Sequence, residues 1–160
     1  TAPYRLNRLK VFLKPGFDPT NLGYHQLQAL IGVGSGKILG FGLGSSFQKF
    51  GYLPGVIEDA IFVVLAQELG FVGSLFLIIL FFTFSWLCFQ ISKKSNDEFS
   101  KILSAGISVW ISFQAFVNIS SMVGLVPLTG VPLPFFSAGG SHLATEIIAT
   151  FLLLNIAKKI

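Results

Sequence analysis

Few residues in this chain could do chemistry. Seven Asp or Glu and two His occur among 160 residues, and two of the acids, Glu58 and Asp59, stand side by side. They mark the point where a polar, glycine-punctuated segment gives way to a long apolar one that runs on through Gln67, Glu68, Leu69 and Gly70. A carboxylate at a membrane boundary is costly to desolvate and invites a functional explanation. On a helix, consecutive residues point about 100° apart, so Glu58 and Asp59 cannot face one spot. Asp59 and Glu68 would lie about half a turn round and roughly 13 Å along. No local pair of acids of the glycosidase kind results. Asp59 is left as a single carboxylate with basic residues upstream. A lone base suits a reaction whose donor already carries a good leaving group, such as a diphosphate. The base takes a proton from an attacking hydroxyl, while cations or N–H groups stabilise the departing phosphate. The competing role for Asp59 is a helix N-terminal charge, worth a few tenths of a kcal/mol.

The remaining polar candidates fall into three groups. Gln114 and Asn118 are i,i+4 and share a helix face, where they suit hydrogen bonds to a neighbouring helix. His142 and Glu146 are also i,i+4. In an apolar helix they should look into a bundle or cavity, either as a satisfied interhelical pair or as part of a site. The third group is a glycine ladder, Gly32, Gly34, Gly36, Gly40, Gly42 and Gly44, with Lys37 inside it. A Walker A loop fails here, because Ile31 and Ile38 stand where it needs a glycine and a Ser or Thr. A dinucleotide fingerprint fails because Lys37 and Ser45 fill its last glycine slot. What is left is a non-helical segment allowing close backbone approach, or an anion cradle of N–H groups with Lys37 or Lys49.

The elements that must position these residues are membrane elements. The chain is 52% hydrophobic and 11% charged, with a mean hydropathy of +0.75, against about a quarter charged in soluble domains. Its one cysteine, Cys88, lies in an apolar run, so no intrachain disulfide is possible. Residues 1–20 interleave Arg5, Arg8, Lys10 and Lys14 with apolar side chains, as suits a headgroup region. A short helix is expected over Leu22–Leu30, with Asn21 as N-cap. The 23 residues from Leu69 to Ile91 carry no charge, enough to span a hydrocarbon core of about 20 residues. The expected architecture is an all-α, polytopic transmembrane helix bundle. An outer region, 1–58, with short amphipathic helices precedes a bundle, 59–160, with spans at about 59–91, 101–122 and 140–158. The segment 123–140, with Pro127, Pro132 and Pro134, cannot be a regular helix and at membrane depth must be buried in protein or line a cavity. The chain begins at Thr1 and is expected to be a piece of a longer polypeptide. The 92–101 turn and the C-terminus hold five Lys, and the 123–140 loop holds no basic residue, which places the lysines in the cytoplasm and the loop outside. The six Lys or Arg of residues 1–58 then lie outside as well, against the rule, unless they serve an anionic ligand there.

The chain resembles the bacterial shape, elongation, division and sporulation proteins, the family of FtsW and RodA. The resemblance rests on Asp18-Pro19, Gly23-Tyr24, Gln28, Gly40-Phe41-Gly42-Leu43-Gly44, Gln48-Lys49, Tyr52-Leu53-Pro54, Asp59-Ala60-Ile61-Phe62 and Glu68-Leu69-Gly70. It continues through Phe113 to Ile119, Gly124 to Gly130, and Pro132 to Ser141, in order and nearly end to end. The chain departs from the family's pattern over Gly55–Glu58, at Gln67 where Glu is common, and at Ala138 where Tyr is common.

The resemblance implies the C-terminal three of about ten transmembrane helices, with the large outer loop before them. It implies a peptidoglycan glycosyltransferase of the bacterial cytoplasmic membrane that polymerises lipid II at the outer face, for division, elongation or sporulation. Its implied partners are a class B penicillin-binding protein transpeptidase and other divisome or elongasome membrane proteins, with no nucleic acid. The family's catalytic aspartate falls on Asp59. Gln48, Lys49 and Lys37, with Thr129, Ser137, Gly139, Gly140 and Ser141 of the loop, would line the substrate cavity. Glu68, Gln114 and Asn118 would support them from behind. No metal ligands are assigned, although the sequence leaves open a divalent cation at the diphosphate. Two other readings compete: a flippase for the lipid-linked precursor, suggested by His142, Glu146 and Gln114 beside a broken helix, and a membrane scaffold that recruits the transpeptidase.

Overall fold

The computed structural model describes residue 8, residues 11–13, residues 22–46 and residues 58–160. Gln48, Lys49, Asn21 and the segment from Gly51 to Ile57 lie outside these. Four long helices carry the described fold, in the order α1 (Leu22–Ser35), α2 (Ile61–Lys94), α3 (Glu98–Met122) and α4 (Gly140–Ala157). No strand occurs among the described residues. The last three helices are long and apolar enough to cross a membrane, and this is a membrane protein. Their outward faces present bare apolar side chains, with Phe82 75% and Phe151 66% exposed, which suits lipid rather than water.

The α2–α3 hairpin turns on a sharp cap. Asp97 accepts hydrogen bonds from the Ser100 amide and hydroxyl, both at 3.0 Å, which fixes the start of α3. Along the hairpin, serines sit where bulkier residues would hold the backbones apart. Ser92 Oγ donates to the Lys101 carbonyl at 2.8 Å, Ser108 Oγ to the Ser85 carbonyl at 3.2 Å, and Ser85 and Ser112 share a hydroxyl–hydroxyl bond. Two apolar clusters flank this seam. One holds Phe62, Val63, Ala66, Ala115, Met122 and Leu133; the other holds Cys88, Ile107, Ile111, Ala149 and Leu153.

Two expectations change. Helix α1 continues through Gly32 and Gly34 to Ser35, five residues past the expected end. Helix α2 is not the regular rod its apolar composition suggests, because Gly70 sits at φ 68°, ψ −162°, a conformation open essentially to glycine. Two rungs of the helical ladder are thereby opened, those that would run from the Phe71 and Val72 amides to the Gln67 and Glu68 carbonyls. The 37–42 segment is threaded between them. Phe71 N and Val72 N donate to the Lys37 and Ile38 carbonyls (2.9 and 3.2 Å), and the Gln67 and Glu68 carbonyls accept from Phe41 N and Gly42 N (3.1 and 3.0 Å). All four backbone groups are paired again, as a low-dielectric setting requires. The approach is so close that a Cβ on Gly36 would lie 1.9 Å from the Ala66 carbonyl oxygen, and one on Gly40 2.1 Å from that of Glu68. Within the glycine ladder, Gly36 and Gly40 are therefore the close-approach positions, and the 37–42 segment is a strap on α2. Its Phe41 and Gly42 amides are spent on α2 and make no anion cradle.

Candidate active site

Asp59 lies just before α2, whose N-cap is Ala60, so the helical angles expected between Glu58, Asp59 and Glu68 do not apply. Glu58 is exposed and Asp59 half-buried. The Asp59 backbone is held by α3: Asn118 Nδ2 donates to the Asp59 carbonyl at 2.8 Å and to the Val131 carbonyl at 2.7 Å. One buried side-chain amide thus ties the entrance of α2 to the Pro/Gly loop. The carboxylate consequently lies against the loop at Gly130, where a Cβ would sit 3.3 Å from Asp59 Oδ2. Gly130 has φ 69° and leaves this space open.

The same helix face grips the loop one turn earlier. Gln114 Nε2 donates to the Pro132 carbonyl at 3.1 Å and also bonds His142 Nε2. On α4, His142 Nδ1 lies 3.2 Å from Glu146 Oε1, and Glu146 Oε2 accepts from the Phe135 amide at 2.9 Å. Glu146 is fully buried. At the loop's beginning, Arg8 Nη1 donates to the Leu128 carbonyl at 2.8 Å. This ties residue 8 to the loop, on the same side of the bundle.

The expected site residues sort as follows. Thr129, Gly139, Gly140 and Ser141 are exposed, and α4 starts at Gly140 with no side-chain cap. Ser137 is turned inward, where its hydroxyl accepts from the Leu133 amide at 2.7 Å and braces the loop from within. Asn118 and Gln114 are the loop's anchors. Glu68 is buried beside the Gly70 break, and its carbonyl holds Gly42. Lys37 is exposed, at φ 49°. It is the one charged side chain among the described lining of a largely apolar groove of about 670 Å³ between α1, α2 and α3. Phe62, Phe71, Ile78, Phe81 and Phe116 also line that groove, and Asp59 does not. Gln48 and Lys49 lie outside the described residues. Among those described, no group of three His, Cys, Asp or Glu could hold a metal ion.

Sequence reasoning missed three features. Arg8 reaches the loop, and no local pattern signals it. Gln67 accepts from Ser46 Oγ at 2.6 Å and donates to Ser35 Oγ at 3.1 Å, fastening the strap; its amide at a position where the family commonly has a carboxylate was the available signal. The His142–Glu146 pair holds the loop, and its spacing signalled a shared face without naming the partner.

Fold and site define a membrane-embedded helical protein with a carboxylate at the mouth of a transmembrane helix, set against a proline–glycine loop. The profile of the cell cycle protein family of FtsW, RodA and SpoVE matches residues 1–160, and the chain belongs to that family. It is 42% identical over 157 residues to a probable peptidoglycan glycosyltransferase FtsW of Buchnera aphidicola, covering 96% of this chain and 39% of that protein. It is 40% identical over 158 residues to the stage V sporulation protein E of Bacillus subtilis, covering 99% and 43%. A solved structure described under "Structural coordination of polymerization and crosslinking by a peptidoglycan synthase complex" contains a chain matching with a TM-score of 0.75 and 26% identity, over 98% of this chain and 42% of that one. The chain thus spans about two fifths of the length of the curated relatives it matches.

Proposed function

We propose that the protein carrying this chain is a peptidoglycan glycosyltransferase that polymerises lipid II at the outer face of the bacterial cytoplasmic membrane, with Asp59 as general base. The observation that carries this reading is the Asn118 bridge, which fixes Asp59 against the loop with its carboxylate at Gly130. The names of the relatives in Buchnera and Bacillus support the reaction class and a place in division or sporulation.

In this mechanism the Asp59 carboxylate takes the proton from the 4-hydroxyl of the acceptor sugar. The oxygen attacks the anomeric carbon of the donor, a new C–O bond forms, and the bond to the lipid diphosphate breaks. The departing diphosphate needs positive charge. Lys37, Lys49 and the uncapped N-terminus of α4 at Gly140 are the groups of this chain suited to it. The apolar groove beside Lys37 suits the prenyl chain of the same substrate. No step is assigned to a metal. The description of the structural relative, which couples polymerisation to crosslinking, supports a class B penicillin-binding protein as partner.

The test is polymerisation by the purified full-length protein in detergent, with lipid II as sole substrate. An enzyme makes glycan strands there, whereas a flippase, which needs two leaflets, makes none. Absence of polymer from well-folded protein, alone and with its transpeptidase, would overturn the reading.

A further inference from the structure

The contacts of His142 determine its proton. The Pro132 carbonyl is an acceptor only, so the Gln114 atom that meets it is the amide nitrogen, and that same nitrogen faces His142 Nε2. A donor faces Nε2, which must therefore accept. The ring is the neutral tautomer with its proton on Nδ1, and Nδ1 lies 3.2 Å from Glu146 Oε1. The other oxygen of Glu146 holds the Phe135 amide. Phe135 stands at φ 63°, a strained setting for a bulky side chain, and its ring packs edge-on against Phe84 at 6.0 Å between centroids. Gln114 thus grips the loop at Pro132 while bonded to His142, and Glu146 grips it at Phe135, next to the residues that face Asp59.

Protonating His142 would set two donors against each other at Nε2. Gln114 then has two options. It can withdraw, or it can turn its amide so that Oε1 accepts from the imidazolium, which sets that oxygen against the Pro132 carbonyl. Either way the grip on Pro132 is lost. His142 keeps 23% of its side chain exposed. Among the described residues, the groups that meet it are Glu146 of α4, Gln114 of α3, which does not titrate, and backbone groups of the loop. Helix α2 meets the loop there with the Phe84 ring, and Asp59 lies at the loop's other end, against Gly130.

We propose that His142 is a positioning residue which, as the neutral tautomer that accepts from Gln114, clamps the loop at Pro132 through Gln114 and releases it on protonation. The effect on glycan polymerisation rests on the Asp59 reading above; the clamp does not. The test compares the full-length wild-type protein with His142→Gln, whose Oε1 can still accept from Gln114 but cannot titrate. Two readouts are taken between about pH 8 and pH 5, the range in which imidazoles titrate: polymerisation rate, and hydrogen exchange of peptides covering 131–137, corrected for intrinsic rates. In wild type, acidification should speed exchange about five- to tenfold, the effect of losing roughly one net hydrogen bond, and kcat should fall reversibly with KM little changed. Both responses should be absent in His142→Gln.

Identical exchange profiles in the two proteins would overturn the clamp, whether or not the protein polymerises. Differing exchange with the same acid limb of polymerisation would overturn the positioning role. Failure of wild type to polymerise at all would strike the glycosyltransferase reading, while the exchange comparison would still decide the clamp. If His142→Gln does not fold, Gln114→Ala carries the test. It should show fast exchange at every pH with no acid step, and a step of wild-type size would overturn the proposal.

Discussion

Two departures of the backbone from the helix in this bundle, at Gly70 and between Val123 and Gly139, are repaired by different means. At Gly70 the repair is backbone on backbone. Four hydrogen bonds from the 37–42 strap replace two opened helical rungs, and glycines allow the contact. Between Val123 and Gly139, beside short local backbone turns, the loop is held to the rest of the bundle by side chains: Asn118 and Gln114 from α3, Glu146 from α4 and Arg8 from the N-terminal segment each hold one or two backbone groups. A backbone repair has no side-chain group to titrate and little freedom to shift, which suits a structural joint. A repair by side chains can be tuned residue by residue, and it is this one that lies against Asp59.

That contrast can be broken from either side. The largest effect is expected at the backbone joint. Gly40→Ala places a Cβ 2.1 Å from the Glu68 carbonyl oxygen at a position with φ +74°. Backbone atoms cannot yield there, so it should cost about 3 kcal/mol or more or prevent folding, read as thermal unfolding in detergent. Gly34→Ala, which meets nothing within 4 Å inside α1, should be neutral or stabilising by up to about 1 kcal/mol. Equal losses in the two variants would mean that close approach is not what the ladder serves.

At the side-chain joint, Asn118→Ala leaves the half-buried carbonyls of Asp59 and Val131 without this donor. We expect a protein that still folds, is less stable by about 1–3 kcal/mol, and polymerises roughly 10²-fold more slowly because the carboxylate is misplaced. Activity lost no further than stability would separate Asn118 from the chemistry. Gly130→Ala is subtler: the added Cβ at 3.3 Å from Oδ2 displaces Asp59 by a few tenths of an ångström, and the positive φ adds about 1 kcal/mol of strain. A fall of about tenfold in kcat with unchanged KM is expected.

These joints also mark what the sequence made legible. The membrane spans were readable from uncharged runs, and the shared face of Gln114 and Asn118 from their spacing, because both are local properties of a helix. Asp59 was readable as a carboxylate at an apolar boundary, although its helical geometry was misjudged: Ala60 caps the helix one residue later. The Gly70 break was not readable, since a lone glycine in an apolar run is normally tolerated within a helix, and its partner strap lies some thirty residues upstream. Nor was the inward turn of Ser137, which depends on how three prolines fold the loop back on itself. Local pattern reveals which residues share a face; long-range backbone pairing decides what that face meets.

The smallest effect lies away from both joints. Hydrogen bonds from the Ser100 amide and hydroxyl hold the Asp97 carboxyl below its ordinary pKa. A carboxylate with a lowered folded-state pKa stabilises above its unfolded value and loses that contribution as pH falls through the folded one. The Tm gap between wild type and Asp97→Ala should therefore be present at neutral pH and close in strong acid. A gap that stays constant with pH would assign the cap to shape alone.

The most direct test of the central claim is Asp59→Asn in the full-length protein, which removes the base while leaving its backbone carbonyl for Asn118. The account predicts wild-type folding and lipid II binding, with polymerisation reduced by about 10²- to 10⁴-fold, the usual contribution of a general base. Glycan strands made at the wild-type rate by well-folded Asp59→Asn would contradict it.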